Sequence, residues 1–154
     1  MGRFEMESGV VRIISAAVYS CLLICVPTGV NAGEPDAYVF SYFNTGPKGQ
    51  GQGLQFAYSR DGYEWKKITT QEGSFLRPEV GGRLMRDPSI VQGPDGTFHM
   101  VWTTDWWRKG IGIANSKDLL NWSQQEYLDV MKDFPGYINC WAPEIFFDED
   151  TETY

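Results

Sequence analysis

The residues of this chain best suited to chemistry are carboxylates, and one of them has a defined setting, Met85-Arg86-Asp87-Pro88-Ser89-Ile90. A carboxylate at the mouth of a strand can take a proton from water or, once protonated, deliver one; these are the two halves of general acid–base catalysis. Pro88 fixes the backbone and donates no hydrogen bond, which suits the first residue of a strand. Asp-Pro also starts strands simply as a turn pair, so the tetrapeptide alone leaves both roles open for Asp87. Other chemistries have little to build on. His99 is the single histidine and lies in an alternating run, Phe98-His99-Met100-Val101-Trp102, that reads as a strand, so a histidine-based triad has no material. Cys21 and Cys25 lie in an apolar N-terminal run and Cys140 stands alone, with no zinc-ligand spacing and no internal disulfide to form.

The elements that must position Asp87 are announced by a repeat. Leu54-Gln-Phe-Ala-Tyr-Ser-Arg-Asp61-Gly-Tyr-Glu-Trp65 recurs 57 residues later as Ile111-Gly-Ile-Ala-Asn-Ser-Lys-Asp118-Leu-Leu-Asn-Trp122. Self-similarity at about 40 to 60 residues, in units of short strands and turns with no helical period, marks an all-β propeller. One unit is complete. Pro88 to Gln92 reads as strand one, Gly93-Pro94-Asp95-Gly96 as a hairpin turn, Thr97 to Thr104 as strand two, Ile111 to Asn115 as strand three and Trp122 to Tyr127 as strand four. Before it, Ala37 to Phe43, Leu54 to Ser59 and Glu64 to Ile68 give a sheet without a first strand; after it, Pro143 to Phe147 begins another unit. Strand one of a blade lines the ring axis, so Asp87 is expected to enter the central cavity. Trp65 and Trp122 recur at equivalent positions and read as packing residues, Asp61 and Asp118 as turn caps. Asp148-Glu149-Asp150 has calcium-friendly residue types but falls on the hairpin turn of its unit.

Residues 1–32 are set aside from the fold as a secretory signal peptide. Arg3 and Arg12 provide a basic start, Ile13 to Val26 an apolar stretch, and Val30-Asn31-Ala32 a cleavage-type ending. Pro27-Thr28-Gly29 ends the run short of the roughly 20 residues that a membrane span needs. The product is expected to be secreted or periplasmic, with no membrane contact after cleavage. A net charge of −7 without basic patches argues against a nucleic-acid partner. Residues 33–154 are read as a partial propeller truncated at the C-terminus, roughly the first two to two and a half blades. Five blades at this period would need roughly 285 residues. The piece alone is expected to aggregate and to be inactive.

The ordered set Arg86-Asp87-Pro88-Ser89-Ile90-Val91, Asp95-Gly96-Thr97-Phe98, Ser116-Lys117-Asp118-Leu119-Leu120-Asn121-Trp122 and Trp141-Ala142-Pro143-Glu144-Ile145 resembles the five-bladed glycoside hydrolases of family 43 over about residues 37 to 154. That family holds β-xylosidases, α-L-arabinofuranosidases and endo-arabinanases. The resemblance implies a five-bladed β-propeller hydrolysing arabinose- or xylose-containing polysaccharide with inversion. Asp87 would be the general base, with the acid and a pKa-tuning carboxylate expected beyond Tyr154. It implies no organic cofactor; a structural calcium suits such propellers, although no ligand set here shows one. Trp141, at the mouth of an inner strand, is a candidate sugar platform, and Trp106, in the loop Asp105 to Gly110 with Trp107 beside it, is a candidate for substrate binding at the rim. Arg86 is a third candidate for substrate binding. A rival likeness is to family 32, the fructan-cleaving enzymes. There an Arg-Asp-Pro motif carries a transition-state stabiliser and a Glu about one blade later is the acid, which would make Asp87 the stabiliser and Glu144 the acid. Internal alignment instead pairs Pro143 with Pro88, placing Ala142 opposite Asp87 and Glu144 opposite Ser89. A non-catalytic carbohydrate-binding propeller is the second functional class. The oligomeric state is left open.

Overall fold

The computed structural model describes residues 11–15, 37–45 and 51–154. Among the described residues, eight strands form two four-stranded sheets in simple sequential order. The first holds β1 (Val11–Ser15), β2 (Ala37–Thr45), β3 (Gly51–Ser59) and β4 (Lys66–Ile68); the second holds β5 (Arg86–Gln92), β6 (Phe98–Thr103), β7 (Ile111–Ser116) and β8 (Glu126–Leu128). No helix occurs among the described residues. The second sheet is antiparallel throughout and is the complete blade expected from the repeat. The outer strands β4 and β8 are shorter than the sequence suggests, three residues each, because the turns before them extend further. Short, charged outer strands blunt a sheet edge against pairing with other chains.

The first sheet departs from the expectation of a missing first strand. Val11–Ser15 take that place, pairing in parallel with β2 from Val11↔Ala37 to Ser15↔Ser41. These are the only described residues of the segment read as a leader; the cleavage-type ending, Cys21 and Cys25 lie outside the described residues, as do residues 46–50 between β2 and β3.

The core lies between the sheets. Phe98, Met100 and Trp102 of β6, with Ile90 of β5 and Ala114 of β7, pack against Leu54 and Phe56 of β3 and against Met85. Strand residues alternate in direction, so the intervening His99, Val101 and Thr103 point to the opposite face. That face is covered too: Tyr154 stacks on the His99 ring at 4.0 Å, and the Ala142 amide donates to Thr103 Oγ1 at 2.8 Å. The stretch from Trp141 to Phe147 thus lies where a third blade's inner strand belongs, although its backbone is not a regular strand. Its first pairing is the bridge Asp148↔Thr153, which closes a turn whose amides at Asp150 and Thr151 are held by Asp148 Oδ1.

The two recurring turns are built alike. Asp61 Oδ1 accepts from the amides of Tyr63 and Glu64 and from the Ser59 hydroxyl; Asp118 Oδ1 accepts from Leu120, Asn121 and the Ser116 hydroxyl. The indoles of Trp65 and Trp122 each donate to a carbonyl three residues back, Gly62 and Leu119, at 3.2 Å. These amides, that of Asn121 foremost, hold the Asp118 carboxyl at about 2.

Two outcomes follow for the product of the reading frame extended past Tyr154. Gly112→Ala drives a Cβ into the fully buried Trp102 ring and should cost about 3 kcal/mol in urea unfolding, the upper end for overpacking. Asp118 is depressed in the folded state, so its contribution is complete above the ordinary carboxylate range and fades as pH falls toward about 2. Asp118→Asn should therefore flatten the fall of the melting temperature between neutral and strongly acid pH.

Candidate active site

Asp87 lies at the start of β5 in a bulge. Arg86 pairs with Thr103 and Ser89 with Val101, leaving Asp87 and Pro88 together opposite Trp102. The extra residue is accommodated by a left-handed backbone, φ 49° at Asp87. Ala142, the position internal alignment places opposite Asp87, has the same φ of 49°, and each residue precedes a proline. The approach to β5 is also fixed. The amides of Gly82 and Leu84 both donate to the Thr104 carbonyl at 3.1 Å, and Gly81, with φ 60°, passes so close that a Cβ would meet Thr104 Oγ1 at 2.5 Å. Only glycine allows that passage.

The Asp87 side chain is half-buried, and its Oδ2 accepts from Thr103 Oγ1 at 3.2 Å. Beside it, the Arg86 guanidinium is sandwiched between two rings, 4.8 Å from the Phe43 centroid and 4.7 Å from that of Trp106. Trp106 belongs to the loop between β6 and β7, whose shape comes from Asp105. One Asp105 oxygen accepts from the Trp107 amide at 3.0 Å and the other pairs with Arg108 at 3.3 Å. Trp141 completes the group: its indole donates to the Trp106 carbonyl at 3.0 Å, its ring meets Trp106 edge-on at 5.8 Å, and it also approaches Trp107. Trp106 and Trp141 stay 42% and 49% exposed, so the tryptophan corner offers apolar surface to a ligand.

Four of the five candidate residues are therefore neighbours: Arg86, Asp87, Trp106 and Trp141 form one corner at the mouth of β5. Glu144 is not drawn in. It is exposed and has no hydrogen bond or ion pair among the described residues, while Ile145, next to it, donates its amide to Ser89 Oγ at 3.3 Å. Trp107 joins the corner beside Trp106, and Phe43 and Thr103 join it without having been read from the sequence as binding or catalytic residues. Phe43 had a visible signal, as an aromatic ending a strand of the neighbouring blade. His99 pairs with Val91 at the other end of the sheet and takes no part. Two hollows, of about 600 and 490 Å³, lie around Glu72 to Arg83 and include neither Asp87 nor the tryptophans. Their walls carry arginine and glutamate without any aromatic platform except Phe75, so the corner at Asp87 is chemically the better site.

The sequence matches, over residues 34–154, the family 43-related model described as "Probable glycosyl hydrolase domain". The chain belongs to that glycosyl hydrolase family. Two solved structures are similar to it. One is described as a putative glycoside hydrolase from Bacteroides ovatus ATCC 8483, with 24% identity and a TM-score of 0.46 over 57% of this chain and 27% of that one. The other is a glycosyl hydrolase from Bacteroides ovatus, with 20% identity and a TM-score of 0.47 over 57% and 28%. The chain thus spans little more than a quarter of either. No curated protein matches it.

Within this glycosyl hydrolase domain, the stacked arginine is open to a direct check. Arg86→Lys keeps the charge and loses the planar guanidinium between two rings, which should cost about 1 kcal/mol of stability. It should also free Trp106, read as increased acrylamide quenching of tryptophan fluorescence.

Proposed function

We propose that these residues belong to a secreted or periplasmic inverting glycosidase acting on arabinofuranosyl or xylosyl linkages of plant polysaccharide, with Asp87 as general base. The observation that carries the reading is the position of Asp87: a carboxylate turned out of a left-handed bulge at the start of an inner strand, beside two half-exposed tryptophans. A sugar ring laid on Trp106 or Trp141 would set its C–H face on an indole. Asp87 would take a proton from the water attacking the anomeric carbon while a protonated carboxyl on the opposite side of the sugar protonates the leaving oxygen. Inversion needs about 6.5–9.5 Å between the two carboxyls so that the water fits. The family 32-like reading, with Glu144 as acid, has less support, because the φ shared by Asp87 and Ala142 favours the alignment that puts Glu144 opposite Ser89.

The test is turnover of aryl α-L-arabinofuranoside and aryl β-xyloside by the product of the reading frame extended past Tyr154 and by its Asp87→Asn and Glu144→Gln variants. Asp87→Asn should lose at least about 10³-fold in kcat with KM little changed, and Glu144→Gln should stay near wild type. Loss in both variants would favour the family 32-like assignment. Polysaccharide binding without turnover, abolished by Trp141→Ala, would place the protein among carbohydrate-binding propellers.

A further inference from the structure

We infer that Thr103 is the positioning residue of this site, aiming the Asp87 carboxylate and the Trp141 platform through a single hydroxyl; the inference rests on the reading of Asp87 as general base. Thr103 Oγ1 lies 3.2 Å from Asp87 Oδ2 and 2.8 Å from the Ala142 nitrogen. A backbone N–H can only donate, so the oxygen of Thr103 accepts from Ala142. Its one proton is then left for Asp87, and an ionised carboxylate is a pure acceptor, so both bonds have a fixed direction. Thr103 is 1% exposed, which leaves no water to substitute for its hydroxyl.

The geometry gives this bond more to do than satisfy a polar group. Asp87 and Pro88 share one place opposite Trp102, so the regular alternation of a strand does not settle where the Asp87 side chain goes. Thr103, four residues from His99 along β6, pairs in regular register with Ile111 of β7 and supplies the fixed point. On its other side it holds the amide of the residue directly after Trp141, whose indole in turn reaches the Trp106 carbonyl. The hydroxyl therefore ties the aim of the carboxylate to the docking of the third inner strand and to the tryptophan corner. Misplacing a reacting group by about 1 Å can cost on the order of 100-fold in rate, so a positioning bond of this kind is visible in kcat.

The experiment is a set of variants in the product of the reading frame extended past Tyr154, assayed on the aryl glycosides: Thr103→Val, Thr103→Ser, Asp87→Ala and Asp87→Ala combined with Thr103→Val. Alanine fits the left-handed position, as Ala142 shows. Thr103→Val, with nearly unchanged shape, should lower kcat by about 10- to 100-fold with a smaller change in KM. Thr103→Ser should recover most of the loss. In the Asp87→Ala background, Thr103→Val should cost nothing further, because its effect passes through the missing carboxylate. A merely structural role would lower residual turnover equally in both backgrounds. Wild-type kcat in Thr103→Val beside an inactive Asp87→Ala overturns this inference alone, as does equal loss in the valine and serine variants. Full turnover in Asp87→Ala overturns the base assignment and the inference together.

Discussion

Strand β6 is buried on both faces, and the remaining structure is arranged around that constraint. A sheet with one wet face tolerates polar residues on alternate positions; a blade between two neighbours does not. Phe98, Met100 and Trp102 meet the first sheet, while His99, Val101 and Thr103 meet the segment 141–154. Every polar side-chain atom on β6 must then find a partner within the protein or go without. Thr103 finds two. The indole nitrogen of Trp102 finds none among the described residues, and its ring is instead held by shape, against the bare Gly112 of the adjacent strand. The cost of that unpaired donor, of order 1–3 kcal/mol, sets a premium on tight packing where Trp102 sits.

The outer edges obey the opposite requirement. Where each blade meets solvent, the chain must turn back without offering a long unpaired strand. Both blades do this with one device, a serine ending the third strand and an aspartate two residues on, sharing hydrogen bonds with the turn amides. Glycine at position 62 takes a left-handed φ of 78°; in the second copy Leu119 takes φ 62° at the same place. The turn survives that unfavourable substitution because the Asp118 bonds remain and Leu119 also packs against the core. Lys66 and Lys67 on β4 then keep the exposed edge charged.

The blade, the caps and the packing tryptophans were legible because each is local: alternation, a Gly-Pro-Asp-Gly turn and a Ser-x-Asp turn state their own geometry within a few residues. The grouping of Arg86, Asp87, Trp106 and Trp141 was legible only in part, through their places at the mouths of strands. Two features were hidden for a physical reason. The bulge at Asp87 depends on the count of residues between two pairings with β6, and that count cannot be seen from β5 alone. The Thr103 hydroxyl earns its role from partners 16 residues before it and 39 after it, brought together by two different blades. The parallel pairing of Val11–Ser15 was likewise invisible, since a short apolar run carries no sign of its partner or direction.

The left-handed residue before the proline has a further consequence. A non-glycine residue at φ 49° is strained, and strain beside a carboxylate invites the conclusion that it serves catalysis. Ala142 argues otherwise: with no functional side chain it has the same φ in the next blade. The strain is therefore a property of how these blades begin their inner strands, and it creates a recurring slot in which the side chain is thrown out of the regular alternation. Asp fills the slot in one blade and Ala in the next, so the fold supplies the aim and the sequence supplies the chemistry separately. Glu144 lies two residues past the slot, opposite Ser89, whose hydroxyl takes the neighbouring blade's Ile145 amide. A side chain at that register faces an adjoining blade, which weighs against Glu144 as the proton donor for a sugar held at the slot of Asp87.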